Sequence, residues 1–275
     1  MPFTARGAHR IHYRTFGDRS APPLLLVMGM GLSSEAWDTL PARASRTRFV
    51  ITFDNRGTGE SSLPRGPYRM RDLADDAAAV LEALQLEQAD VLGVSMGGMI
   101  AQELVLRHPS RVRRLALGCT LSSWLHGKKA SPRVLLDLIA VLAGRLREDK
   151  VARLLVSREW YARADSPAAF ARWRGNANQG RARRAIFQLL AVALHDTRAR
   201  LASIRAPTLL MTGDGDRLVD WRNSQALAKE IPDAKLVVFP GAGHVFPLEC
   251  EEEMVRALEA HFAWERPGAA AMKIA

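Results

Sequence analysis

Short apolar runs bounded by turn residues recur along the chain, and stretches with helical spacing of apolar positions separate them. The runs at residues 11–16, 24–28, 49–53, 89–94, 114–117, 208–212 and 235–239 predict strands. Residues 68–84 place Leu73, Ala77, Val80, Leu81 and Leu84 on one face and predict a helix. A second helix is expected over 96–107, stopped by His108-Pro109, because proline disfavours helical backbone in the residue before it. Residues 221–230 and 251–264 predict two more. Strands alternating with helices imply a mostly parallel sheet covered on both faces.

Residues 121–200 break this rhythm. Their periodicity is helical throughout, over 134–146, 151–160, 167–174 and 182–194, and no strand pattern interrupts it. The reading is a core formed by residues 1–120 and 201–265, a helical insertion at 121–200, and a poorly ordered tail at 266–275.

Charge sharpens the division. The chain carries a net charge of +10, and residues 121–200 hold 16 basic and 6 acidic side chains, so the whole excess lies in the insertion. Such a segment steers an anionic ligand or is an arginine-rich solvated surface. No nucleic-acid-binding signature accompanies it, so nucleic acid is not an expected partner. No apolar run reaches the ~18 residues a membrane span needs. The first residues have no apolar signal-peptide core, and the two cysteines, Cys119 and Cys250, form neither a disulfide framework nor a zinc motif. A cytoplasmic protein is expected. Oligomeric state is not legible, and a homodimer is compatible with the sequence.

Candidate chemistry begins at Gly93-Val94-Ser95-Met96-Gly97-Gly98, where a predicted strand becomes a helix. A serine there is a turn residue or a nucleophile, and a nucleophile needs partners: a base, a group to orient the base, and donors for the oxyanion. His244, in Pro240-Gly241-Ala242-Gly243-His244, follows the predicted strand 235–239 and is the expected base. Asp216, in Gly213-Asp214-Gly215-Asp216, is the expected orienting acid, with Asp214 as the alternative. The backbone N–H groups of Met96 and of Met30, in Met28-Gly29-Met30-Gly31, are the expected oxyanion donors.

These segments, together with Asp54-Asn55-Arg56-Gly57-Thr58-Gly59-Glu60-Ser61, resemble the α/β-hydrolase fold superfamily in order and spacing over nearly the whole chain. The likeness is greatest to its small esterases, enol-lactone hydrolases and perhydrolase-like members. It implies an eight-stranded, mostly parallel sheet with a helical cap inserted after the sixth strand. It also implies a structural turn at residues 54–61, in which Asp54 and Arg56 support loops. The expected activity is cleavage of a carboxylic ester or lactone through an acyl-enzyme, with a small-molecule substrate and neither metal nor organic cofactor. Carbon–carbon bond hydrolysis, thioester hydrolysis or a non-catalytic binding role on the same residues are the alternatives. One departure concerns the oxyanion loop: many relatives have His-Gly where this chain has Met28-Gly29. Serine at position 95, where aspartate would be needed, argues against epoxide hydrolase or haloalkane dehalogenase chemistry. Candidate substrate contacts are Gly29, Trp124, His126, Trp160, Tyr161 and Val245.

A dinucleotide-binding reading of Gly29-Met30-Gly31 is disfavoured. The third glycine is replaced by Ser34, Pro41 interrupts the helix expected next, and Ser95, Asp216 and His244 go unexplained.

Overall fold

The computed structural model describes residues 2–142, 145–176 and 182–263. The expected tail at 266–275 lies outside them. Eight strands form one sheet: β1 (Phe3–Arg6), β2 (His9–Phe16), β3 (Pro23–Val27), β4 (Phe49–Phe53), β5 (Ala89–Val94), β6 (Val112–Gly118), β7 (Thr208–Gly213) and β8 (Ala234–Phe239). Their spatial order is β1-β2-β4-β3-β5-β6-β7-β8. The β1–β2 and β2–β4 pairs are antiparallel, and all others are parallel.

The apolar runs become strands because both faces of the sheet are covered. Every residue of β4, β5 and β7 is buried. On one face, the helices Met70–Ala83 and Met96–Arg107 pack Leu73, Ala77, Leu81, Ile100 and Leu104 over Leu25, Ile51 and Val91. On the other, Glu251–Ala263 packs Met254, Val255, Leu258 and Phe262 with Leu24, Leu92 and Met211. Strand β1 was not among the predicted runs. It is a short edge strand held to β2 through the turn at Gly7, where φ is +56°.

Among the described residues, five α-helices lie between β6 and β7: Pro132–Leu142, Glu148–Leu155, Arg158–Tyr161, Ser166–Asn176 and Ala182–Ala193. The helix expected over 151–160 is split in two. Val156 adopts extended backbone, and Ser157 caps the next helix by accepting the Trp160 N–H at 3.2 Å. Side-chain and backbone hydrogen bonds lace this helical segment to the sheet unit. The Trp173 indole N–H donates to the Ala36 carbonyl at 2.9 Å, and the Val245 N–H to the Leu155 carbonyl at 2.8 Å. The Thr197 hydroxyl donates to Gln102 Oε1 at 2.6 Å.

Candidate active site

Parallel strands in this order bring the ends of β3, β5, β6, β7 and β8 to one edge of the sheet, and each end contributes to a single site. Ser95 sits between β5 and the helix Met96–Arg107, with φ 55° and ψ −123°. A non-glycine residue there is strained, and the surroundings hold it in place. The Ser95 N–H donates to the Gly118 carbonyl at 2.8 Å, and the Thr120 hydroxyl donates to the Ser95 carbonyl at 2.8 Å. The flanking glycines make the turn sterically feasible. A Cβ on Gly97 would lie 2.0 Å from the Val27 carbonyl oxygen, and one on Gly93 would lie 2.3 Å from the Gly97 carbonyl oxygen.

His244 follows β8, and its Nε2 lies 3.0 Å from Ser95 Oγ. Its Nδ1 lies 2.7 Å from Asp216 Oδ2. The other carboxylate oxygen of Asp216 accepts the N–H groups of Leu218 at 2.8 Å and Val219 at 2.9 Å. Fixed on that side, the carboxylate calls for a proton on Nδ1, which leaves Nε2 as acceptor for the serine hydroxyl. Asp216 and His244 are each 8% exposed, so water competes little for these bonds. Asp214, the alternative acid, instead accepts the Gly241 N–H at 2.6 Å and secures the loop that carries His244.

Two segments frame the serine. Met96 is the first helical residue, where backbone N–H groups have no intrahelical acceptor and the helix dipole favours negative charge. The loop after β3 passes close by: a Cβ on Gly29 would lie 3.3 Å from Ser95 Cβ. Asn55 donates from Nδ2 to the Met28 carbonyl at 3.0 Å, and Gln188 Oε1 accepts the Gly31 N–H at 2.7 Å. The segment 54–61 is a knot of buried polar groups. Asp54 takes the Ser34 N–H at 2.7 Å, the Glu60 N–H at 3.0 Å and His12 Nδ1 at 2.9 Å. Arg56 is bonded to Asp76 at 2.8 Å.

The remaining candidate contacts are spread more widely. Val245 adjoins His244 in sequence, and its N–H donates to the Leu155 carbonyl in the helical segment. Trp160 is buried with Phe170 and Trp173, and Tyr161 meets Phe170 edge-on at 5.9 Å. These two rings pack the helical segment together. Trp124 packs on the larger core cluster, and His126, half exposed, faces Ser123 at 3.3 Å and Asp196 at 3.7 Å. Sequence reasoning missed Asn55, Thr120 and Gln188 as supports of the site, and it gave Cys119 no place there. Cys119, at φ +40°, lies after β6 with its sulfur within 4.8 Å of ligand atoms of Asp216 and His244. Burial and the Asp216 carboxylate push its thiol well up, so its resting form is the neutral thiol.

The family model described as alpha/beta hydrolase fold matches residues 22–249. The chain is 29% identical over 253 residues to 3-oxoadipate enol-lactonase 2 of Acinetobacter baylyi, covering 91% of this chain and 92% of that protein. It is 32% identical to 2-hydroxymuconate semialdehyde hydrolase of Pseudomonas putida, covering 86% of this chain and 85% of that protein. A crystal structure of a hydrolase from Pseudomonas aeruginosa PA01 superposes with a TM-score of 0.82 at 28% identity, covering 96% of this chain and 98% of that one. With its family model, its sheet order and these relatives in agreement, the chain belongs to the α/β-hydrolase fold family and is a hydrolase.

Proposed function

We propose that the protein hydrolyses a carboxylic ester or lactone through an acyl-enzyme formed on Ser95. The observation that carries this reading is the continuous hydrogen-bonded line from Ser95 Oγ to His244 at 3.0 Å and from His244 to Asp216 at 2.7 Å. The similarity to an enol-lactonase supports the choice of a lactone or ester carbonyl.

In this mechanism Ser95 Oγ attacks the carbonyl carbon while His244 Nε2 takes its proton. Asp216 stabilises the imidazolium and keeps the ring in register, remaining ionised throughout. The tetrahedral oxyanion is received by the N–H groups of Met96 and Met30, the Gly31 N–H being engaged by Gln188. The C–O bond to the alcohol breaks, and the alkoxide takes the proton from His244. In a lactone the alcohol stays tethered to the acyl group. Water, deprotonated by His244, then attacks the acyl carbon and releases Ser95 with its proton restored.

The test is hydrolysis of p-nitrophenyl acetate, butyrate, octanoate and laurate, and of a five-membered lactone, by the wild type and by Ser95→Ala. The variant is expected to lose on the order of 10⁴-fold or more in kcat. Equal activity in both proteins would remove Ser95 from the mechanism.

A further inference from the structure

The oxyanion loop is gripped from two directions, and one grip comes from the helical segment. Asn55, 1% exposed on the sheet unit, holds the Met28 carbonyl. Gln188, 0% exposed on the helix Ala182–Ala193, holds the Gly31 N–H from 157 residues away in sequence. These two bonds fix the peptide planes on either side of Gly29–Met30. The plane left between them is the one that carries the Met30 N–H. An oxyanion donor is effective only if it is already aimed before charge develops, and fixing both flanking planes is a means of aiming it.

The Gln188 amide has a defined orientation. Its oxygen must face the Gly31 N–H, which directs Nε2 to the Arg56 carbonyl at 3.5 Å. The neighbouring residue, Phe187, packs on Tyr68 with ring centroids 6.3 Å apart, and Tyr68 lies under the Arg56 guanidinium at 5.9 Å. One turn of this helix therefore docks on the core through an aromatic contact and places the amide on the loop. The methionine side chain at position 28 has no N–H with which to organise this loop.

We propose that Gln188 is a positioning residue for the oxyanion donor, so that the seating of the helical segment sets the turnover of the nucleophile. This rests on the acyl-enzyme reading above. Moving this helix off the core withdraws the acceptor from Gly31 and frees the Met30 peptide to rotate. A substrate that holds the segment down thereby completes its own oxyanion site.

The experiment compares wild type, Gln188→Met and Gln188→Glu. Methionine fills the same space without an acceptor of comparable strength, and glutamate keeps the acceptor while losing the donor to Arg56. Three readouts are taken: kcat and KM for p-nitrophenyl butyrate, inhibition by an aryl trifluoromethyl ketone, and backbone hydrogen exchange of the segment around residues 24–34. Active sites are counted with a fluorophosphonate, so that kcat refers to folded enzyme only. Gln188→Met is expected to lower kcat roughly 10- to 100-fold with KM within about twofold. It should weaken the ketone by a similar factor and accelerate exchange at Gly31. Gln188→Glu is expected to recover most of the loss. A kcat within twofold of wild type in Gln188→Met overturns the proposal. So does a loss matched by an equal rise in KM with ketone affinity unchanged. The acyl-enzyme reading fails separately, by full activity in Ser95→Ala. In that event unchanged exchange at Gly31 also rejects the anchor, and faster exchange keeps the anchor but removes its catalytic meaning.

Discussion

His195 lies just past the helix Ala182–Ala193, 3% exposed, with neither ring nitrogen hydrogen-bonded among the described residues. Burial lowers its pKa to about 4, against a pull upward from Glu103. The folded protein therefore holds this imidazole neutral, while the unfolded chain protonates it near pH 6.5. Between about pH 6.5 and 4 the unfolded state binds the extra proton, so stability declines as pH falls through that window and levels off below it. The decline attributable to His195 across the full window is on the order of 3 kcal/mol. His195→Leu, which fills the space without a titrating group, is expected to be distinctly flatter in stability over that window. Urea melts at pH 7 and pH 4.5 measure it, and parallel losses in the two proteins would assign the acid sensitivity elsewhere. Individual roles at the site differed in how far they could be read. Ser95, His244 and Asp216 stand in short motifs whose glycines announce sharp turns, so the geometry of the relay was legible. Gln188 carries no such mark: a glutamine in a helix reads as a surface residue until its partner, 157 positions away, is placed against it.

At the scale of elements, the strand-to-helix turn around Ser95 is limited by backbone contact. A Cβ at Gly97 would meet the Val27 carbonyl oxygen at 2.0 Å, and a carbonyl inside a parallel sheet cannot move aside as a side chain can. Gly97→Ala is expected to destabilise the protein by about 1–3 kcal/mol and to lower activity as β3 and the helix separate. Gly175, in the last turn of the helix Ser166–Asn176, has nothing among the described residues within 4 Å of its hypothetical Cβ. Gly175→Ala is expected to stabilise by about 0.5–1 kcal/mol through helix propensity alone. Thermal melts of the pair decide whether close approach or mere helix propensity explains the glycine at the turn, since the second account predicts gains in both. Most strands were legible because burial on both faces writes them as continuous apolar runs. β1 was not, because an edge strand of four residues with one neighbour needs no such run. The split of the expected 151–160 helix was hidden as well. Apolar periodicity continues across Val156 and Ser157, and the extended Val156 and the Ser157 cap on the Trp160 N–H mark the break.

At the scale of the whole molecule, the excess charge and the candidate catalytic residues lie in two different parts of the chain. Residues 121–200 carry the entire excess of ten positive charges, while the sheet unit provides Ser95, Asp216 and His244. Some of that charge is tied up: Arg200 bonds Glu103 at 2.6 Å and Arg198 bonds Asp196 at 2.8 Å. The remainder gives the segment a positive field. If that field guides substrate, kcat/KM for an ester bearing a carboxylate should fall roughly 3- to 10-fold as ionic strength rises from about 20 mM to 0.5 M. A neutral ester of the same size should hardly respond. Equal salt profiles would make the arginines a solvated surface. No helix among the described residues is long and apolar enough to cross a membrane.

The bond between Gly31 and Gln188 also bears on recombination between relatives. Exchanging the inserted helices of such proteins is an obvious route to new specificities, with the sheet unit treated as a self-sufficient engine. Here the engine borrows one of its fastenings from the part being exchanged. If Gln188 positions the oxyanion donor as proposed, a graft that brings a good pocket but no hydrogen-bond acceptor opposite Gly31 would bind its substrate and turn it over slowly. Screens that score binding alone would rank such a chimaera among the best.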